Sequence, residues 1–136
     1  MKRTVSILTL FILLLTFTYG VSLCQKVDLS GTWEGSTDVP DVPEPVKMTL
    51  VLEKTDEGYS GTINDSLGMI QNAEIEDFEF EDNDVTFNFT FSDGSNYIAV
   101  YITLTVEGNK MTGHWETEDG SSAPIKLEKM VHLPIR

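Results

Sequence analysis

The sequence predicts an all-β fold, an antiparallel up-and-down β-barrel of about eight strands. Three observations predict it. After residue 28 apolar and polar residues alternate with a period of two, turn-forming residues recur roughly every 8–12 positions, and no segment has the period of an amphipathic helix. A two-sheet sandwich is the alternative. A closed barrel is favoured because it leaves no exposed sheet edge, and no helix is predicted to cover one.

The first predicted strands carry one apolar and one polar face. In the segment 46–53 the alternation places four apolar side chains together, namely Val46, Met48, Leu50 and Leu52. The segment 59–64 follows the turn at Asp56, Glu57 and Gly58, so the two segments predict a β-hairpin. A strand over 31–36 precedes them.

The second half of the chain continues the pattern. In the segment 85–91 one face carries three phenylalanines, Phe87, Phe89 and Phe91, together with Val85. The segment 97–106 has one strongly apolar face formed by Ile98, Val100, Ile102, Leu104 and Val106. Strands over 110–117 and 123–129, and one or two across 69–80, complete the count.

The segment 38–45 interrupts the strands. It contains Pro40, Pro43 and Pro45, and proline lacks the backbone donor that a central strand needs. We expect it to form either an ordered rim over one end of the barrel or a stiff connector.

Composition narrows the classes of function. The 136 residues include 9 Lys+Arg and 22 Asp+Glu, which gives a formal net charge of -13. This excess of acids argues against a nucleic-acid partner, because phosphate binding needs clustered cations. One Cys and two His do not predict a zinc site, and no other metal or cofactor is predicted. The acidic run 74–84 lacks the residue spacing of a calcium loop, and its interleaved Ile75, Phe78 and Phe80 predict strands instead.

The N-terminal segment has the three parts of a secretory signal peptide. Lys2 and Arg3 precede an apolar run over 7–17, which is too short to span a bilayer, and small or polar residues follow. We expect a signal peptide over 1–24 and a secreted or periplasmic domain over 25–136, without membrane insertion after cleavage. Acylation of Cys24, which would make a lipoprotein, is the alternative; Leu23 precedes Cys24, where such proteins usually carry a smaller residue.

Candidate binding residues lie on the inward faces. Trp33 and Trp115 follow glycines by two positions, and each glycine is expected to leave space for a neighbouring aromatic ring. If the barrel is hollow, a small apolar ligand would contact six inward residues: Trp33, Met48, Leu50, Phe87, Phe89 and Trp115. The alternative is that these side chains fill the barrel as its core.

Tyr97, Ala99 and Tyr101 lie on the face opposite the apolar one of their strand. They indicate either that a loop covers this face or that Tyr97 and Tyr101 form a surface for an exported protein partner. His114 is expected on the outer face beside Glu116, and no nucleophile motif is present. The protein is therefore not predicted to be an enzyme.

The short motifs Gly31-Thr32-Trp33-Glu34-Gly35, Gly58-Tyr59-Ser60-Gly61-Thr62-Ile63 and the segments 104–115 and 124–127 resemble a lipocalin-like (calycin-like) β-barrel domain of secreted bacterial proteins. The resemblance spans about Leu29 to Lys129. It implies a non-catalytic module that often accompanies exported hydrolases, and a Trp33 that closes the barrel base under a cation, Lys126 or Lys129. The chain is shorter than a lipocalin and lacks its disulfide and final helix, so the resemblance does not carry over a ligand pocket.

The sequence thus favours a secreted or periplasmic barrel that binds a small apolar or amphipathic ligand. The alternative is an interaction module with a filled barrel that docks an exported partner.

Overall fold

The computed structural model describes residues 27–131, and in that range it contains nine β-strands. They are β1 (Gly31–Thr37), β2 (Val46–Thr55), β3 (Gly58–Asp65), β4 (Ala73–Glu74), β5 (Glu76–Glu81), β6 (Asp84–Ser92), β7 (Tyr97–Glu107), β8 (Lys110–Thr117) and β9 (Ser122–Lys129). The predicted signal peptide and Cys24, like His132, lie outside the described residues.

The strands form one antiparallel sheet with the order β4-β3-β2-β1-β9-β8-β7-β6-β5. Neighbours in sequence pair as hairpins, and β1 also pairs with β9, for example Gly35 with Leu127. The sheet curls into a nearly closed up-and-down barrel, which is the predicted fold class.

The barrel is brought nearly to closure by two consecutive strands, β4 and β5, that pair with different partners. β4 pairs with β3, and Ile75 N–H donates to Gly61 O at 3.0 Å before the chain continues as β5, which pairs with β6. The register of β5 shifts between Glu76 and Glu79. This segment explains why nine strands are found where about eight were predicted: the region 69–80 does hold two.

The remaining seam between β3 and β5 is bridged by aromatic side chains. The rings of Tyr59 and Phe78 lie 5.4 Å apart, and those of Phe78 and Phe87 lie 6.1 Å apart. The Tyr59 hydroxyl accepts the Leu29 N–H at 3.0 Å, which ties the segment before β1 to the same seam.

The core lies inside the barrel and follows the predicted alternation. The inward residues of β2, β6 and β7 are buried, and Leu50, Val85 and Leu104 are fully so. Phe91 and Ile98, near one barrel end, are only half-buried. Each inward side chain faces apolar neighbours, and burial of a large apolar side chain contributes about 1.5–3 kcal/mol.

The expectation that glycines before the tryptophans make room for aromatic rings is wrong. A Cβ at Gly31 would meet Cε of Lys129 at 3.1 Å, and a Cβ at Gly113 would overlap the backbone carbonyl of Thr103. Gly113 is therefore needed where the backbones of β7 and β8 approach too closely for a Cβ.

Loops alternate between the two ends of the barrel. The open end of the barrel holds the loops 38–45, 66–72, 93–96 and 118–121. The closed end holds the turns 56–57, 82–83 and 108–109.

Candidate functional site

A cavity of about 260 Å³ lies at the open end. Its wall is apolar and comes from five strands, with Val46 and Met48 from β2, Phe89 and Phe91 from β6, Ile98, Val100 and Ile102 from β7, Trp115 from β8 and Ile125 from β9. These residues lie in the half of each strand next to the open-end loops, with Ile102 at the middle of β7. The barrel is thus hollow at one end and filled at the other.

Two loops form the rim of this cavity. Val39 and Pro40 line it from the segment 38–45, where Val42 N–H donates to Val39 O at 3.1 Å. Of the two expectations for this proline-rich segment, the rim is therefore the correct one. Loop 66–72 contributes Leu67 and Met69, about half of whose surface is exposed.

One buried polar group interrupts the apolar wall. Thr37 is 5% exposed, and its hydroxyl donates to Pro124 O at 2.7 Å and accepts the indole N–H of Trp115 at 2.7 Å. This chain of hydrogen bonds satisfies the indole and fixes the ring of Trp115 against the cavity, as buried polar groups require.

Two carboxylates lie at the mouth of the cavity. Asp65 ends β3, and its Oδ1 accepts Ile70 N–H at 3.2 Å, which holds loop 66–72 over the mouth. Asp119 accepts hydrogen bonds from the Thr117 hydroxyl and from Ser121 N–H, and these bonds, the hydroxyl first, lower the pKa of Asp119 below its usual value. Asp119 is therefore ionised at neutral pH.

The predicted ligand-binding residues divide between the two ends. Met48, Phe89 and Trp115 line the cavity, and the structure brings them together. Trp33, Leu50 and Phe87 are buried in the filled part of the barrel and do not line it. The register of β1 and β2 explains this division. Trp33 pairs with Leu50, and this pair lies two residues nearer the closed end than the pair formed by Gly35 and Met48.

Trp33 closes the base of the barrel. It is fully buried, and its indole N–H donates to Leu29 O at 2.9 Å. Nζ of Lys129 lies 5.8 Å from the ring centroid and donates to Asp28 O at 2.9 Å. Of the two cations considered for this position, Lys129 is the one that occupies it.

A second and larger pocket, of about 700 Å³, lies at the closed end. It is lined by Tyr59, Phe78 and Phe80 at the seam and by charged residues of the turns, including Lys54, Asp56 and Asp82. Its walls mix charges of both signs with aromatic edges, so it offers an apolar ligand a more polar surface than the open-end cavity does.

The predicted partner surface is exposed. Tyr97 has 85% of its surface accessible and Tyr101 has 43%. The alternative interpretation, in which a loop covers this face of β7, is therefore wrong. His114 and Glu116 also lie on the outer face, as predicted.

Residues 27–131 contain neither a metal site nor a membrane-spanning helix. Within that range no group of three or more His, Cys, Asp or Glu side chains is placed to hold a metal ion. Nor does the described part of the chain contain a helix long and apolar enough to cross a membrane.

Sequence reasoning did not single out Thr37, Asp65 or the apolar residues of loop 66–72. A signal was present in Leu67, Met69 and Ile70, three large apolar residues in a segment rich in turn-forming residues. Such residues in a loop indicate that the loop covers something apolar.

Fold and site together define a small antiparallel β-barrel with an apolar cavity at one end, the architecture described as lipocalin-like. No protein-family model matches the chain, and no curated protein matches it. Among solved structures, the chain is similar to fatty-acid-binding protein 1 of Echinococcus granulosus, with 13% sequence identity and a TM-score of 0.47. The similarity covers 76% of this chain and 98% of that one.

Proposed function

We propose that this protein is a non-enzymatic barrel that binds a small apolar or amphipathic ligand in the open-end cavity. The observation that carries the proposal is the cavity itself, a hollow of about 260 Å³ whose wall is almost entirely aliphatic and aromatic. Small-molecule sites are typically concave, mostly apolar and furnished with a few fixed polar groups. Here Thr37 and the two carboxylates at the mouth are those groups.

The size of the cavity limits the ligand. An apolar cavity of about 150 Å³ accommodates benzene, so one of 260 Å³ has room for about ten carbon atoms. The half-exposed Leu67 and Met69 at the rim add apolar contacts for a chain that extends outward. The ligand class is therefore a short alkyl chain or a small aromatic ring system.

Binding can be tested with 1-octanol. Isothermal titration calorimetry should show saturable heat, and the emission of Trp115 should shift because this ring lines the cavity. An Ile98→Phe variant places a larger side chain in the cavity and should abolish binding. Tyr97→Phe, a change on the outer face of the same strand, is the matched control and should bind normally. Absence of saturable binding by the wild-type protein, for octanol and for aromatic probes such as naphthalene, would end the proposal.

A second candidate function rests on the exposure of Tyr97 and Tyr101. According to this second candidate, the outer face of β7 docks an exported protein partner. Tyrosines are enriched at protein interfaces because they combine a large apolar ring with a hydroxyl. Capture of the same partner by the wild-type protein and by a Tyr97→Ala/Tyr101→Ala variant would count against it. Export itself stays a prediction, to be checked by sequencing the N-terminus of the secreted chain.

A further inference from the structure

The loops of the open end carry negative charge alone. The four loops contain six Asp or Glu residues and no Lys, Arg or His: Asp38, Asp41, Glu44, Asp93, Glu118 and Asp119. Asp65 adds a seventh carboxylate, which like that of Asp119 lines the cavity. No lysine, arginine or histidine is among the residues that line it.

The cations of the described chain lie outside these loops and outside the cavity. Lys54, Lys110 and Lys129 are near the closed end. Lys47 and Lys126 flank Ser36 in the sheet, and both have exposed side chains on the outer face. A negatively charged ligand group at the mouth would therefore find no cation inside the barrel to pair with.

The two lining carboxylates face the mouth from opposite sides. β3, which ends in Asp65, and the strand before the loop of Asp119, β8, are four places apart in the order of a nine-stranded barrel. Each carboxylate is held by hydrogen bonds to its own loop, Asp65 to Ile70 and Asp119 to Thr117 and Ser121. A group at the centre of the mouth is thus surrounded by fixed negative charge above an apolar chamber.

We propose that the cavity selects amphiphiles by the charge of the head group and binds an alkyl or aryl ammonium ion, with its apolar part inside the barrel and its cation between Asp65 and Asp119. This proposal rests on the proposed function and specifies its ligand class. The indole of Trp115 gives the cation a further favourable surface, since cations are attracted to the faces of aromatic rings.

The physical reason is the balance between desolvation and charge pairing. Any charged head group loses water as it approaches the partly enclosed mouth, and that cost is recovered only if an opposite charge is near. An ammonium ion meets two carboxylates, whereas a carboxylate ligand meets like charge. Because both groups remain partly hydrated, we expect a discrimination of about tenfold rather than many orders of magnitude.

The test compares octylamine, 1-octanol and octanoate, which share one chain and differ in head-group charge. Calorimetry at neutral pH and low salt should rank the affinities octylamine above octanol above octanoate, with about tenfold between the extremes. Raising the salt to about 0.5 M should shrink this ratio, because salt screens the interaction between partly hydrated charges.

Two double variants locate the effect. Asp65→Asn/Asp119→Asn keeps the side-chain oxygens that accept hydrogen bonds and should reduce the ratio of octylamine to octanoate affinity to about twofold. Asp56→Asn/Glu57→Gln removes two charges from the closed end and is the matched control, which should keep the ratio. Equal thermal midpoints establish that both variants fold.

The outcomes separate the two proposals. If octanol binds but the amine and the carboxylate bind equally, head-group selection is wrong while the ligand-binding barrel stands. If none of the three binds, the proposed function fails. If the closed-end variant lowers the ratio as much as the mouth variant, the net charge of the protein causes the preference, and the assignment to Asp65 and Asp119 is overturned.

Discussion

The two tryptophans have different roles because they lie at different ends of the barrel. Trp33 is fully buried beneath Lys129 at the closed end, and its indole bonds to Leu29 O. Trp115 is half-buried, bonds to a side-chain hydroxyl and lines the cavity. The first ring is a structural element of the base, and the second is available to a ligand.

We predict that Trp33→Ala destabilises the protein by about 3–5 kcal/mol, because it leaves a large cavity at the base and removes the hydrogen bond to Leu29. Urea unfolding followed by circular dichroism measures this loss. Tyr97→Ala is the matched control, an aromatic truncation at an 85% exposed position, and should cost less than about 1 kcal/mol. Similar losses for the two variants would contradict the assigned role of Trp33.

Thr37 supports Trp115 through its hydroxyl. Thr37→Val preserves the shape of the side chain but leaves the Trp115 N–H and Pro124 O without their partner. We expect a loss of about 1–3 kcal/mol in the free energy of unfolding and a shift in Trp115 emission as the ring reorients. Thr37→Ser retains the hydroxyl and should keep the emission spectrum of the wild-type protein. A Thr37→Val variant with unchanged stability and emission would show that the hydroxyl does not position the ring.

At the level of elements, strands with a buried and an exposed face were predictable because the pleat sends successive side chains to opposite sides. The segment 85–91 is the clearest example. The transition from β4 to β5 was not predictable in detail, because it depends on a change of partner and on backbone conformation. Asp77, for example, has a positive φ of 53°, which nothing in the alternation of Phe78 and Phe80 indicates.

Because of the same transition, we expect β5 to be less stable than the strands that are paired on both sides. It pairs only with β6, its register shifts, and side-chain contacts alone join it to β3 across the seam. We predict that the amide hydrogens of β5 exchange much faster than those of β7, which is paired on both sides. Hydrogen exchange followed by NMR measures the two rates. Equal protection in β5 and β7 would mean that the seam is closed as firmly as the rest of the barrel.

The close approach of β8 to β7 at Gly113 provides a second test at the level of elements. Gly113→Ala would force a Cβ into the Thr103 carbonyl, so β7 and β8 would have to separate locally. We expect a loss of about 2 kcal/mol or more, by comparison with other strained core changes. Thr112→Ala, at the exposed neighbouring position, should cost less than about 1 kcal/mol. Thermal unfolding distinguishes them, and a neutral Gly113→Ala would refute the close approach.

At the scale of the molecule, the sequence predicted a barrel with an apolar interior but not which part of the interior is hollow. Trp33, Leu50 and Phe87 have the same inward pattern as Met48, Phe89 and Trp115. Only the position of each rung along the barrel separates the two sets. That position depends on pairing between strands distant in sequence, such as β1 with β9, and on where loop 66–72 folds back. Neither is expressed in local alternation.

Net charge predicts how the whole molecule responds to acid. The charge of -13 and an isoelectric point near 4.3 imply mutual repulsion at neutral pH, which weakens as pH falls. This weakening of repulsion should stabilise the fold at lower pH, but a second effect opposes it: hydrogen bonds lower the pKa of three aspartates. The largest contributions come from the Ser30 hydroxyl for Asp28, Asn96 N–H for Asp93 and the Thr117 hydroxyl for Asp119.

Because these folded-state pKa values lie below the ordinary value of 3.8, the three carboxylates stabilise the fold above that value, and the stabilisation is lost as pH falls through the lowered values. We therefore expect the thermal midpoint in low salt to hold or rise from pH 7 to about 5, then fall below about pH 4. Salt at about 0.5 M should raise the thermal midpoint at neutral pH, because it screens repulsion between surface charges. The midpoint should then change less between pH 7 and about 5. The decrease of the midpoint below about pH 4 depends on hydrogen bonds to carboxylates, so it should persist in salt. The decrease should be smaller in an Asp93→Asn variant, which lacks one of these carboxylates. A midpoint that already falls between pH 7 and 5 would show that the acidic surface does not repel itself strongly enough to affect folding.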